Sequence, residues 1–522
     1  MTEPRPHYFQ SSWIEPSDEV IDTDVCVYGG VAGGLVAAVT AARRGKRAVV
    51  LHPGTYLGGM TAGGLGWTDV GNKDIIGGIA REFYQRVGKH YGKDEEWTFE
   101  PYVAAEALQS LLDETDVDVR RRQFLDSITM DGRRITEIRM LGGLRVRARQ
   151  FIDATYEGDL LARAGVSYTV GRESNDTYGE TLNGIQVRHQ HQFSHPVDPY
   201  VEPGNPGSGL LPYIEPKLDG EIGDGDRRIQ AYCFRVCMTD DPALRMPFPK
   251  PADYDERLYE LAARWYASEK DQYNESLREG GEIRKFDRLH PVPHKTDTNN
   301  HGPISSDFIG ANHDWPEADY ETRERLFQAH VSYQQGLYWF ISNSERMPDR
   351  YREAFARWGL ARDEFVETGH WPHELYVREG RRMVGEYVIT EHDCMAARRC
   401  EDPIAMGAYN MDSHNCHRFV QDGRVLNGGD VQVPPAEPYT ISYRAIVPAD
   451  GECENLSVPV CVSASHITFG SVRMEPVFMM LGESAATAAT LAIDQDCAMQ
   501  AVGYSKLRNE LLDAGQVLCW RG

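Results

Sequence analysis

A run of glycines behind a short apolar strand is the first place in this chain where residue types and spacing suit chemistry. Asp24 to Tyr28 reads as a strand. Gly29, Gly30, Val31, Ala32, Gly33 and Gly34 follow, then an alanine-rich helix from Leu35 to Arg44, then a second apolar strand from Arg47 to Leu51. A bound pyrophosphate needs backbone N–H groups close by and a helix N-terminus pointing at it. Glycine is therefore needed where the chain turns, where the phosphate sits and where the helix packs on the strand. In the usual G-x-G-x-x-G spacing those places are Gly29, position 31 and Gly34. Position 31 is Val, and Gly30 and Gly33 offer a turn shifted by one residue. The unit reads as a βαβ dinucleotide-binding element, against a plain turn whose glycines serve packing alone. Its second strand should end in a carboxylate for the ribose hydroxyls. His52 stands there and can supply one hydrogen bond instead of two, or be an ordinary loop residue.

Other elements must position this turn. Residues 1–22 are polar and proline-bearing and read as a loosely attached arm. Residues 53–72 are glycine-rich and read as a loop. Residues 74–114 turn helical, and 117–152 alternate as strands with a hairpin at Asp131-Gly132. Residues 175–310 carry little periodicity and suggest an inserted region with long loops. Helices are expected at Arg323 to Phe340, Asp349 to Trp358 and Leu375 to Ala397, and 402–455 reads as loop. A strand from Ser457 to Val462, a polar loop, a helix from Pro476 to about Ile493 and a last helix near 504–514 complete the chain.

The length, 522 residues with 41% hydrophobic, suggests two to four domains. A net charge of −24 without a long basic run argues against nucleic acid and against anionic membrane surfaces. The ten cysteines are scattered and show no zinc spacing. His294, Asp297 and His301 form a loose cluster whose spacing matches no metal pattern, so no metal is expected. Met1 to Trp13 does not read as a signal peptide, and no run of about 18 apolar residues is present to span a bilayer. The expected location is the cytoplasm.

Further motifs join the first. Leu57-Gly58-Gly59-Met60-Thr61-Ala62-Gly63-Gly64 leads into Leu65-Gly66-Trp67-Thr68-Asp69; Asp153-Ala154-Thr155-Tyr156-Glu157-Gly158-Asp159 follows; and Ser463-Ala464-Ser465-His466 leads on to Arg473-Met474-Glu475-Pro476. Together with Asp24 to Pro53 they resemble the FAD-dependent oxidoreductases, relatives of the glutathione reductase and fumarate reductase flavoproteins. The resemblance implies FAD as cofactor and an α/β fold. It implies a Rossmann-like, glutathione reductase-type FAD-binding domain, interrupted by an inserted α+β substrate or cap domain. The expected division is 22–172 and 440–515 for the FAD domain and 173–439 for the insert. It also implies that Gly58, Gly59, Met60, Thr61, Gly63 and Gly64 wrap the pyrophosphate and ribityl chain. Ala154 and Thr155 would close the domain, with Tyr156 where Gly is usual. Asp159 would sit near the cofactor, and Glu475-Pro476 would start a helix aimed at the flavin's pyrimidine end. A helix N-terminus there stabilises a reduced, anionic ring, and Pro suits a first turn.

Hydride transfer to flavin N5 needs a base for the accompanying proton. His466, Arg473 and His414 are the candidate catalytic residues. Glu475 is equally a simple helix-terminal carboxylate. The polar, His-bearing insert suggests a polyol, sugar or hydroxy acid as the small-molecule substrate. One nucleotide signature leaves no second site for NAD(P)H, so another electron acceptor, O2 among the options, is expected. A homo-oligomer is an admissible assembly. Competing readings are a flavin monooxygenase or reductase with another donor, a non-catalytic flavin-binding redox sensor, and an NAD-binding Rossmann protein.

Overall fold

The computed structural model describes residues 5–267 and 286–520. At its centre stand β1 (Val20–Tyr28), β2 (Ala48–His52), β3 (Asp118–Arg121), β4 (Leu125–Asp131), β5 (Arg134–Met140) and β6 (Arg145–Asp153). Their order is β3-β2-β1-β6-β5-β4. β3, β2, β1 and β6 run parallel, and β5 and β4 add an antiparallel hairpin. Leu456–Ser457 also pairs in parallel with β6. Parallel strands covered on both faces read as continuous apolar runs, and Val25 to Tyr28 and Val49 to Leu51 are all buried. The fold is mixed α/β and Rossmann-like.

α1 (Ala32–Arg43) links β1 to β2, and α2 (Gly59–Ala62), α3 (Gly78–His90) and α4 (Pro101–Leu112) lie between β2 and β3. The helix Glu475–Gln495 packs along α1. Two glycines allow that approach: a Cβ on Gly482 would lie 2.0 Å from the Gly33 carbonyl oxygen. This helix is long and apolar enough to cross a membrane, but its apolar stretch is entirely buried within the protein. Its composition is that of a core helix.

Glu483 on the same helix accepts from the Ile79 N–H and from Gln516 Nε2, each at 3.0 Å. Burial pushes its carboxyl from 4.5 up to about 7. The native state then keeps a proton that the unfolded chain has lost, so stability falls as pH rises through that interval. Glu483→Gln preserves the acceptor oxygen and does not titrate. Urea unfolding should show the variant gaining roughly 3 kcal/mol on the wild type between about pH 4 and about pH 8. A pH-independent difference would remove Glu483 as the source.

Several elements differ from the sequence expectation. β1 begins at Val20 because its first half pairs with β6, Val20 opposite Arg145. The glycine-rich stretch contains α2. Leu375 to Ala397 is mainly extended. Tyr376 bridges Cys233, Arg382–Met383 pairs with Tyr168–Thr169, and only Glu391–Cys394 is helical. Residues 402–455 hold paired strands: Pro403–Gly407 with Tyr439–Ser442, Met411–Ser413 with Val431–Val433, and His417–Gln421 with Arg424–Gly428. The strand near 457 is short, and the polar loop after it contains a helix, His466–Val472.

The helices expected near 323 and 349 are present as Tyr320–Asn343 and Asp349–Ala356. A five-stranded antiparallel sheet gathers short strands from residues 238–361. Positions 268–285 of the loop-rich stretch lie outside the described residues. The N-terminal arm is seated rather than loose. Glu324 accepts from the Tyr8 and Phe9 N–H groups at 2.7 and 3.0 Å, and positions 1–4 lie outside the described residues.

Candidate active site

The glycine turn is built by close approaches. Gly29 has φ +111°, and a Cβ on it would lie 2.5 Å from the Ala154 carbonyl carbon, so only glycine fits. A Cβ on Gly34 would lie 2.0 Å from the Gly29 oxygen, and one on Gly33 2.7 Å from the Phe478 oxygen. Gly30 donates its N–H to His52 Nδ1 at 3.0 Å, and His52 Nε2 pairs with the Tyr56 carbonyl at 2.7 Å. The ring is therefore a neutral Nε2–H tautomer, and burial lowers its pKa to about 4. Both nitrogens are spent on backbone, which corrects the expectation that His52 offers one to a ribose. Its position tethers the turn to the end of β2.

Val31, where the usual spacing has Gly, is the N-cap of α1 in extended conformation. Gly59 makes room for it: a Cβ on Gly59 would lie 2.8 Å from the Val31 Cβ. Gly58 donates its N–H to the Gly30 carbonyl at 2.8 Å, joining the second glycine loop to the first. That loop is stapled to the Glu475 helix. Glu475 accepts from Thr61 Oγ1 at 2.6 Å and from the Tyr156 hydroxyl at 2.7 Å, and Tyr156 accepts from the Met60 N–H at 2.9 Å. Tyr156, in place of a glycine, thus acts as a strut. Burial pushes the Glu475 carboxyl up to about 7. Pro476 occupies the first helical turn beside it. Gly63 and Gly64 carry the loop onward, Gly63 against the Glu374 side chain and Gly64 against the Arg235 carbonyl.

These elements border a cleft lined by Gly29, Val31, Thr155, Glu157, His373 and Glu374 among others. Asp159, expected near a cofactor, is instead bonded to Arg323 at 2.6 and 2.9 Å and to Arg381 at 2.8 Å. Glu157, two positions earlier, is the carboxylate that lines the cleft. Burial raises it to about 7. Glu374 is raised well above its usual value by burial and by Glu157 and Glu475. His373 stacks on Tyr56 at 4.3 Å, and its buried Nε2 has no protein partner. Burial holds it neutral, with a pKa near about 3. Glu157 was within a motif legible in the sequence. His373 and Glu374 had no such signal, because their segment comes from far along the chain.

A second cluster adjoins the loop where it leaves the cleft. Asp297 accepts from the Gly66 and Trp67 N–H groups at 3.1 and 2.9 Å and from Arg235 Nε and Nη2 at 2.8 and 2.5 Å. Arg235 Nη1 lies 3.9 Å from Asp69. Beside them runs a closed circuit. His414 Nδ1 meets Asp307 at 2.7 Å and its Nε2 lies 3.5 Å from Asp412; Arg473 lies 3.4 Å from Asp412 and donates to the Tyr376 hydroxyl at 3.0 Å. Arg378 lies over the Tyr376 ring and 3.0 Å from Asp307. Burial favours protonation of Asp412, but His414 and Arg473 outweigh it and hold the carboxyl at about 2. Asp307 is likewise held below the usual range by Arg378 and His414 against its burial. The Nε atoms of Arg378 and Arg473 have no protein partner. Asp69 and Asp412 remain 23% and 15% exposed, so the cluster is not wholly closed off from solvent.

His466, the candidate base just before the Glu475 helix, belongs to a separate buried set. Its Nδ1 lies 2.9 Å from Glu379 and its Nε2 3.1 Å from Ser413 Oγ, and all three are buried. Of the loose His294, Asp297 and His301 set, Asp297 is committed to Arg235, and His301 packs edge-on against His191.

The family model described as "FAD dependent oxidoreductase" matches residues 24–511. The chain belongs to that family. FAD is its cofactor, and oxidoreduction is the chemistry of the family. No curated protein matches the chain. Among solved structures, it is similar to L-proline dehydrogenase from P. horikoshii, at 14% identity and TM-score 0.25, over 30% of this chain and 59% of that one. It is similar to p-nitrophenol 4-monooxygenase PnpA from Pseudomonas putida DLL-E4, at 14% identity and TM-score 0.21, over 30% of this chain and 46% of that one. It is also similar to NikD, an amino acid oxidase of nikkomycin biosynthesis, at 15% identity and TM-score 0.23, over 33% and 59%. The chain thus spans less than two thirds of each of these three.

The cleft residues fit FAD on physical grounds. The N-terminus of α1 carries no side-chain cap and no acidic residue in its first turn, which suits an anion. The glycine cradle admits no Cβ, and the orphaned His373 Nε2 awaits a polar partner. Glu374, raised well above the usual carboxylate range by burial, can donate to a ligand without repelling its phosphates, and Glu157, raised to about 7, does so on the acid side of that value.

Proposed function

We propose that this FAD-dependent oxidoreductase takes a hydride from a C–H bond of a polar organic substrate, a polyol, sugar or hydroxy acid. The supporting observation is the buried circuit of Asp307, His414, Asp412, Arg473 and Tyr376, beside the Gly64–Trp67 end of the cofactor loop. Bound FAD supplies the two-electron acceptor. Asp307 fixes the His414 ring through Nδ1, and Nε2, which lies 3.5 Å from Asp412, is the atom that takes the hydroxyl proton of the substrate. Arg473, with an unused Nε–H, orients a substrate oxygen. Asp412 and Tyr376 fix that guanidinium. His466 ties Glu379 to Ser413, the neighbour of His414.

We assign residues 22–172 and 440–515 to a glutathione reductase-type FAD domain and 173–439 to an inserted cap. The pairing of Leu456–Ser457 with β6 and the packing of the Glu475 helix on α1 support this division. Ten free thiols favour a reducing compartment, the cytoplasm. Reoxidation falls to an acceptor other than a nicotinamide, with O2 one option. Anaerobic mixing with a panel of polyols, sugars and hydroxy acids tests the reading. A member of the panel should bleach the flavin near about 450 nm, and oxygen uptake then separates oxidase from dehydrogenase. Bleaching by none of them, with reduction only by amines or by a nicotinamide, would overturn the substrate class.

A further inference from the structure

Residues 5–13 contain no regular element beyond the short turn Ser11–Trp13, and such a segment near a chain end is ordinarily free. Here it is fastened at many points to the helix Tyr320–Asn343. Glu324 pairs with His7 Nδ1 at 2.6 Å through one oxygen and accepts the Tyr8 and Phe9 N–H groups through the other. Arg5 reaches Ser332 Oγ at 3.1 Å, and Gln328 Nε2 donates to the Pro6 carbonyl at 2.9 Å. The Tyr8 ring stands edge-on to Trp315 at 5.0 Å, and Trp315 donates to Glu157 at 3.3 Å. Phe9 lies edge-on to Phe124 at 4.9 Å.

The consequence is positional. His7 and Tyr8 line the same cleft as Gly29, Val31 and Thr155. The Tyr8 hydroxyl accepts from Arg323 at 3.2 Å, which leaves its own proton for a ligand in the cleft. We propose that the arm is part of the FAD site. His7 and Tyr8 form a wall of the cofactor cleft, and Glu324 is the positioning residue that clamps them there. FAD then leaves only when the arm lifts from the helix, so the arm governs the release rate more than the chemistry. This rests on the placement of FAD in that cleft.

FAD release from the holoprotein, followed as the rise of free-flavin fluorescence on dilution, tests the proposal. Glu324→Ala and Tyr8→Ala should each release FAD at least about tenfold faster than the wild type, in keeping with affinity changes that appear mainly in off-rates. Tyr8→Phe, which keeps the ring, should rescue most of that loss. Arg325→Ala, exposed on the same helix, should match the wild type. Val31→Asp separates the two claims. Retention of FAD by Val31→Asp at wild-type affinity means the cleft is not the cofactor site. Loss of FAD by Val31→Asp, with wild-type release rates in both Glu324→Ala and Tyr8→Ala, leaves the cleft reading standing and overturns the role of the arm.

Discussion

Val31→Asp should yield a folded protein that no longer holds FAD. Val31 is the N-cap of α1 and makes no side-chain cap bond. Aspartate is among the best N-cap residues, so the helix itself should gain about 0.5–2 kcal/mol. The same carboxylate would stand where the uncapped helix N-terminus and the glycine cradle leave room for a pyrophosphate. Two like charges about 4 Å apart cost about 4 kcal/mol per pair at an effective dielectric near 20, so FAD affinity should fall by at least about 100-fold. Far-ultraviolet circular dichroism and flavin titration read the two effects separately. The capping gain offsets part of the cost of replacing a buried Val31, so the fold should be retained while binding is lost. A variant that binds FAD as the wild type does would place the pyrophosphate elsewhere.

His414→Ala should abolish most turnover while leaving the flavin bound. Removal of a general base costs about 10²- to 10⁴-fold in rate. The surrounding charges keep partners after the ring is lost: Asp307 retains Arg378, and Asp412 retains Arg473. The expected loss is therefore in kcat, read by stopped-flow reduction of the flavin, with an unchanged visible spectrum. His466→Ala is the informative comparison. It leaves Glu379 still paired with Arg382, so its effect on the reduction rate should be the smaller one. The reverse ranking would move the base to His466.

The parts of this molecule legible in the sequence are those whose cause is local. β1, the glycine turn, α1 and β2 are adjacent in the chain and their spacing is read there, although Gly29 and Gly33 are required by the distant Ala154 and Phe478. The hairpin at Asp131-Gly132 and the long helices at 320 and 475 are likewise marked by their own local residues, the last by Pro476 and its alanines. Elements that depend on distant partners were not legible. Leu375 to Ala397 has enough apolar residues for a helix, yet it is drawn out by bridges to Cys233 and Tyr168–Thr169. The arm looks free because Glu324, which fastens it, lies more than three hundred residues away.

The site divides the same way. Val31 looked like a defect in the cradle until Gly59 was seen to accommodate it. His52 ends β2 where a ribose ligand is usual, but its nitrogens are consumed by Gly30 and Tyr56. Asp159 and Glu157 share one motif, and only the positions of Arg323 and Trp315 decide which of them faces the cleft. His414 and Arg473 are joined through Asp412, a link that spacing along the chain does not reveal.

A visible spectrum of the purified protein, repeated on the supernatant after acid precipitation, tests the central claim most directly. The account predicts bands near about 375 and 450 nm, with the colour released into the supernatant as FAD. A colourless protein that takes up no added FAD would contradict it.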